Sequence, residues 1–376
     1  MPQPRPFPLP LVEWRPDRIV RTFGRALRVS AKSAHILSRG YLRRLGRALQ
    51  LMGKELFTAE EIGRLGLLDP ALSLDDLRRF TSGQMMTGIE KALNPEAWRI
   101  LAENKGVFYR CCAAHNLPMP RLCALFLGDR VGWTHSRPVP DTREQWGEFL
   151  ESACPAELVI KPAFGAYGEG VRVLARTAGN RFVDHSGQGF GALDLVDRMR
   201  AGAGLHGWVI QARVRNHPEV ARLSGSPYLQ CARLITLTDR GGLCNILHAH
   251  LKVIVGQNAI DNFHHGATGN VTARVHLERG TLSAAVAGHP SGAGYAAMSV
   301  HPTTGVAIEG FPLPFWAEAC QLAREAARVF LPLRFVGWDI ALTPDGPVLV
   351  EANWNCDPPN PHRNLHLLRE AIQRLG

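Results

Sequence analysis

The chain has 376 residues, 45% hydrophobic and 20% charged, which is a globular balance and enough material for two or three packed lobes. Its net charge of +10 has a local origin: between Arg15 and Lys54 stand eleven Lys or Arg and one acid, Asp17, so the rest of the chain is balanced. Without a nucleic-acid-binding signature that segment argues for no nucleic-acid partner, and apolar runs such as residues 122–127 are far too short to span a bilayer.

The first ten residues, MPQPRPFPLP, lack the continuous apolar stretch of a secretory signal. The eight cysteines include no CxxC pair. Both features lead us to expect a cytoplasmic protein with reduced thiols. After Pro16 a helical period begins, with Val20, Phe23, Leu27, Ala34, Leu37, Tyr41, Leu45 and Leu49 on one face and Arg18, Arg21, Arg25, Arg28 and Lys32 on another. Arg39, Arg43 and Arg47 continue the basic stripe, and Gly40 is a point where the helix divides. Such a helix either docks on the body with its basic face in water or makes peripheral contact with a membrane or membrane enzymes. The lack of Trp or Phe clusters on the apolar face favours the first. Thr58 with Glu61, and Ser73 before Leu74-Asp75-Asp76, are helix-start signals, and residues 80–115 keep a mainly helical pattern.

Past Pro118-Met119-Pro120 the texture turns to short β-like runs between Gly, Pro and Asp turns. Residues 158–161, 171–175 and 208–214 read as strands. Residues 229–238 and 243–255 read as one hairpin, and 271–277 and 281–287 as another. A helix over 314–331 precedes a final hairpin.

Two stretches carry chemistry. Lys161 ends an apolar strand and is followed by Gly165, Gly168 and Gly170 before the next strand. Glycines let backbone N–H groups approach phosphate oxygens, and the lysine adds a positive charge. The spacing is neither a Walker loop nor a Rossmann turn, because no GK[ST] and no helix follow. In the last hairpin, a three-residue loop Pro344-Asp345-Gly346 sets Thr343 opposite Pro347 and Asp339 opposite Glu351, with Asn353 on the same face. Ile340, Leu342, Val348 and Val350 then form the core face. Facing carboxylates repel unless a cation lies between them. Two acids and an amide oxygen are the hard donors that Mg²⁺ takes beside nucleotide phosphates.

Together these features resemble the ATP-grasp superfamily, and more narrowly its sugar-transfer-associated family. The matching words are LNPEAWRILAENKGVFYRCCAAHNLPMP, VIKPAFGAYGEGVRVL, DNFHHGATGN and GWDIALTPDGPVLVEANWN, spread over roughly residues 90–360. The resemblance implies an α+β ATP-grasp fold in which two α+β lobes clamp ATP. A helical region over 1–90 would precede lobes at 91–210 and 211–376. It implies that Lys105 and Lys161 contact phosphates, and that Gly165 to Gly170 cover the triphosphate. Gln211 and Val214 would bound the adenine hinge, and Glu219 would meet the ribose. Asp339, Glu351 and Asn353 would hold one or two Mg²⁺ ions. Arg233 and Lys252 would meet the γ-phosphate or an acyl phosphate, and Asn262 would reach the substrate side. His264-His265 and Gly266-Ala267 depart from the family's pattern there. Four histidines at 248, 250, 264 and 265 lack a recognised zinc spacing.

The implied reaction is an ADP-forming ligation, in which a carboxylate attacks the γ-phosphorus and an amine captures the acyl phosphate. Its substrates would be a small-molecule or sugar-linked carboxylate and an amine, in a cell-surface polysaccharide setting. A kinase acting on a sugar or alcohol hydroxyl would present the same ATP site. A catalytically silent nucleotide binder is the third reading.

Overall fold

The computed structural model describes residues 25, 41–135, 138–165, 168–202, 207–359 and 372. The basic stripe before Tyr41 therefore lies outside the described residues, apart from Arg25, which is helical and exposed. A helix over Tyr41–Gly53 is followed by Ala59–Arg64 and Leu74–Leu77. Both sequence start signals act as caps. Thr58 accepts the Glu61 N–H while Glu61 accepts the Thr58 N–H, and Ser73 and Asp76 do the same.

Two antiparallel sheets of seven strands make up the body. The first contains β1 (Leu122–Gly128), β2 (Val131–Thr134), β3 (Glu157–Pro162), β4 (Arg172–Arg176), β5 (Phe182–Val183), β6 (Gly189–Phe190) and β7 (Trp208–Ala212), in the order β2-β1-β7-β3-β4-β5-β6. The second contains β8 (Cys231–Thr238), β9 (Cys244–Val253), β10 (Val271–His276), β11 (Thr281–Gly288), β12 (Tyr295–Met298), β13 (Phe335–Thr343) and β14 (Gly346–Asn353), in the order β12-β11-β10-β9-β8-β13-β14. Helices Arg143–Ser152 and Ala192–Ala201 cover the first sheet and bury Trp146, Leu150, Leu195 and Val196. The sequence reading had neither helix, and it took β1 only as an apolar run. The expected strand over 208–214 ends at Ala212, and Arg213 turns away to bond the Glu157 carboxylate at 3.0 Å.

On the second sheet, helix Trp316–Val329 buries Ala319, Leu322, Ala323, Ala326 and Ala327 at helical spacing, and these small residues let it lie close on the strands. The last hairpin departs from the expected register twice. Thr343 pairs with Gly346, so Pro344-Asp345 is a two-residue loop, and Leu342, not Thr343, faces Pro347. A bulge at Val350 then restores the offset, and Asp339 does face Glu351. The core face of β14 is therefore Leu349 and Ala352, both buried, while Val348 and Val350 are only half-buried.

Asn94, at the end of helix Gly83–Leu93, ties this hairpin to the preceding helices. Its amide nitrogen donates to the carbonyls of Phe335 at 2.7 Å and Trp354 at 3.0 Å, and its oxygen accepts the Phe335 N–H at 3.0 Å. Asn94 is fully buried, so its removal leaves backbone groups unsatisfied in the interior. Asn94→Ala is expected to cost about 2–3 kcal/mol, read as a lower urea midpoint at unchanged m-value.

Candidate active site

A cleft of about 370 Å³ opens between the two sheets. The first sheet contributes Lys161 from the end of β3 and Gln211 from β7, with Gly165 and Gly168 in the loop after β3. The second sheet contributes Arg233, Lys252, Asp339, Glu351 and Asn353, all pointing to one face. Val214, just beyond β7, and Asn262, after β9, complete the wall. Gly170 lies behind it, where an added Cβ would stand 2.9 Å from Pro162. A Cβ at Gly168 would stand 2.7 Å from Ile260, so the glycine loop rests on the opposite side of the cleft at that point.

Glu219 is not brought to the cleft. It sits exposed in the first turn of helix Pro218–Ser224, where Arg222 three residues on holds its carboxylate at 2.7 Å. A local i,i+3 ion pair has taken the acid expected at the ribose.

The cleft is electrically self-paired. Arg233 donates to both oxygens of Asp339, at 2.6 and 2.8 Å, and Lys252 reaches Asp339 at 3.2 Å and Asp261 at 3.3 Å. Burial by itself would push the Asp339 carboxyl up, but Arg233 and Lys252 outweigh it and hold it well below the usual carboxylate range. Lys105, at the start of helix Lys105–Ala114, bridges Glu351 at 2.9 Å and the Gly165 carbonyl at 2.8 Å. It thereby ties the glycine loop to the second sheet.

Lys161 has no such carboxylate partner among the described residues. Its amine donates to the Tyr109 hydroxyl at 2.8 Å, and that hydroxyl donates to the Val350 carbonyl at the bulge, at 2.7 Å. Burial lowers the Lys161 pKa to about 8. Sequence reasoning missed Tyr109, Asp261 and Glu90. Asp261 accepts the Cys231 N–H at 2.7 Å, and Glu90 accepts the Cys356 N–H at 2.6 Å beneath the segment that follows Asn353. Tyr109 and Asp261 lie within the family-like words around Lys105 and Asn262, whereas Glu90 lies outside all of them.

The donor set suits Mg²⁺. Two carboxylates and an amide side chain converge from paired strands, every carboxylate already faces cationic nitrogen, and hard oxygens predominate. Gln211 lines the cleft, and its amide oxygen is buried and has no hydrogen-bond partner among the described residues.

A family model described as sugar-transfer associated ATP-grasp matches residues 84–360. No curated protein matches. Among solved structures, the chain is similar to the ADP complex of N5-carboxyaminoimidazole ribonucleotide synthetase, at 12% identity over 74% of this chain and 52% of that one, with a TM-score of 0.40. It is similar to the D-alanine-D-alanine ligase from Coxiella burnetii at 10% identity, over 73% and 57%, with a TM-score of 0.36. For the L-amino acid ligase from Bacillus licheniformis the values are 12% identity, 84% and 61%, and a TM-score of 0.40. The chain thus spans between half and two thirds of the length of these structures.

Proposed function

Because the chain belongs to the sugar-transfer associated ATP-grasp family, we propose that it binds ATP with Mg²⁺ between its two sheets, activates a carboxylate as an acyl phosphate, and passes the acyl group to an amine. The observation that carries this reading is the self-paired cleft, in which Arg233 and Lys252 hold Asp339 and Lys105 holds Glu351. Buried ion pairs of this kind are costly to desolvate and are not needed for stability. They are useful where partners are to be exchanged. A triphosphate offers these three cations new oxygen partners, and the carboxylates they release are the natural ligands of its cation.

Mg²⁺ held by Asp339, Glu351 and Asn353 would neutralise the phosphoryl oxygens during transfer. Lys105, freed from Glu351, stays anchored to the glycine loop and can carry that loop onto the phosphates. Arg233 and Lys252 present their donors where charge builds on the transferred group, and no covalent nucleophile is required of the protein. The unpartnered Gln211 oxygen and the chain around Val214 suit the adenine end. No ribose partner is assigned, since Glu219 does not line the cleft.

The panel that tests this reading follows the family's description. ADP and free phosphate are measured with sugar acids, amino acids and sugars as acceptors, each with and without an amine. ADP with free phosphate, dependent on both a carboxylate and an amine, is the expected result. ADP without free phosphate would replace the ligase by a kinase on a hydroxyl. ATP binding without turnover on any acceptor would leave a silent binder.

Lys161 supplies a pH prediction. Its folded pKa of about 8 lies below the usual lysine value, so the unliganded amine is charged below that pH and loses its proton above it. Polyphosphate beside it favours the charged form and raises the pKa again. ADP binding is therefore expected to take up close to one proton near pH ~9 and none near pH ~6.5. Titration calorimetry in buffers of different ionisation enthalpy reads this directly. Lys161→Met should abolish the uptake, and equal uptake at both pH values would remove Lys161 from the phosphate site.

A further inference from the structure

The cleft runs on, past the cations, to an end built from the loop after β9 and the segment after β14. His264, His265 and Asp357 line this end. Neighbouring His264 and His265 both have positive φ, 40° and 55°, a conformation rare for residues other than glycine. Such strain persists only where the surroundings over-determine it. Here the Asn262 side chain accepts the His264 N–H at 3.1 Å, and the Ala267 N–H donates to the His264 carbonyl at 3.0 Å. Gly266 lies so close to β11 that a Cβ would stand 2.7 Å from the Gly288 Cα. The turn holds the His265 ring toward Asp357, with Nε2 3.9 Å from Oδ2. That gap is too wide for a hydrogen bond and too polar to be left dry.

We infer that this gap receives the amine substrate, its nitrogen bridging the Asp357 carboxylate and His265 Nε2, and that His265 is the base that takes its proton. The inference rests on the ligase reading above. A nitrogen about 2.9 Å from each atom spans the separation, and two facing acceptors select a ligand that only donates. The neutral ring is favoured here: burial pushes the His265 pKa down, Arg64 and His264 add to the effect, and Asp357 and Glu61 oppose it. Arg64 belongs to helix Ala59–Arg64, and its carbonyl accepts the Gly294 N–H at 2.8 Å, so the N-terminal helices flank this end.

The chemistry balances. The ammonium gives one proton to Nε2, which frees the nitrogen lone pair. The N–C bond then forms at the acyl carbon, the C–O bond to phosphate breaks, and phosphate leaves with the electron pair and the second proton. His265 returns its proton to water.

Hydroxylamine is largely uncharged near neutrality and reacts with acyl phosphates without a base, so it separates acyl activation from amine capture. Product formation is compared between hydroxylamine and a panel of L-amino acids and glucosamine, using the carboxylate that supports ADP release. The variants are His265→Asn, chosen because Asn tolerates left-handed φ, and Asp357→Asn at a half-exposed position. The amine-to-hydroxylamine product ratio is expected to fall at least ~100-fold in His265→Asn, with the amine KM raised on the order of 10-fold in Asp357→Asn. An unchanged ratio in His265→Asn overturns the proposal. So does an equal loss with both nucleophiles, which would mean that the turn only shapes the acyl site. Wild-type protein that makes no hydroxamate with any carboxylate overturns the ligase reading, and this inference falls with it.

Discussion

Asp339→Asn is expected to destabilise the protein by about 3–5 kcal/mol and to reduce ATP turnover at least ~10³-fold. Asp339 is buried on β13, next to the edge strand of the second sheet, and lies directly opposite both Arg233 on β8 and Glu351 on β14. An amide keeps the shape but not the charge, and it cannot accept both Arg233 nitrogens through two oxygens. Lys252 retains Asp261, so the loss falls mainly on Arg233, a buried guanidinium left without its bidentate partner. The depressed Asp339 pKa sets the sign of the pH effect. Its stabilisation is fully present above the ordinary carboxylate value and is lost only as pH falls through the lowered one. Urea denaturation at neutral pH reads the first number. The double variant Arg233→Met with Asp339→Leu is the control, because removing both charges should restore most of the stability while turnover stays lost. A single variant that costs under ~1 kcal/mol would show that the pair is not a buried charge cluster at all.

Glu351→Gln is expected to abolish turnover to a similar extent, on the order of 10³-fold, while changing stability by no more than about 1 kcal/mol. The contrast comes from exposure. The Glu351 side chain is 28% exposed and Lys105 is its one ion-pair partner among the described residues, so solvent screens part of what is lost. Lys105 also retains the Gly165 carbonyl. ADP binding without Mg²⁺ should be unaffected or tighter, since a competing anion has gone, whereas the gain in affinity on adding Mg²⁺ should disappear. A Glu351→Gln protein with wild-type Mg²⁺ dependence would take Glu351 out of the metal site.

The pairing of Asp339 with Glu351 was legible from the hairpin pattern, although the route to it was not. The three-residue loop was one residue too long, and a bulge at Val350 cancels that error. Alternation along a strand carries no mark of a bulge whose exposed carbonyl is taken up by Tyr109, a residue 241 positions away. For the same reason Leu349, not Val348 or Val350, packs into the core on the turn side of the bulge. Glu219, which does not line the cleft, is a different case. A lone acid at the start of a short helix has no pattern to place it, and an arginine three residues on holds it at the surface.

By itself, the sequence determined the parts whose signal is local: the helix caps at Thr58 and Ser73, most of the strands, the glycine loop after Lys161, and the acids that share one strand face. Only the tertiary structure decided what those parts do to one another. Lys105 meets Glu351 across 246 residues, Arg233 and Lys252 converge on Asp339, and Asn94 secures Phe335. The physical reason is that strand period and capping act within a few residues. Charge pairing and burial depend on distances that the fold alone sets.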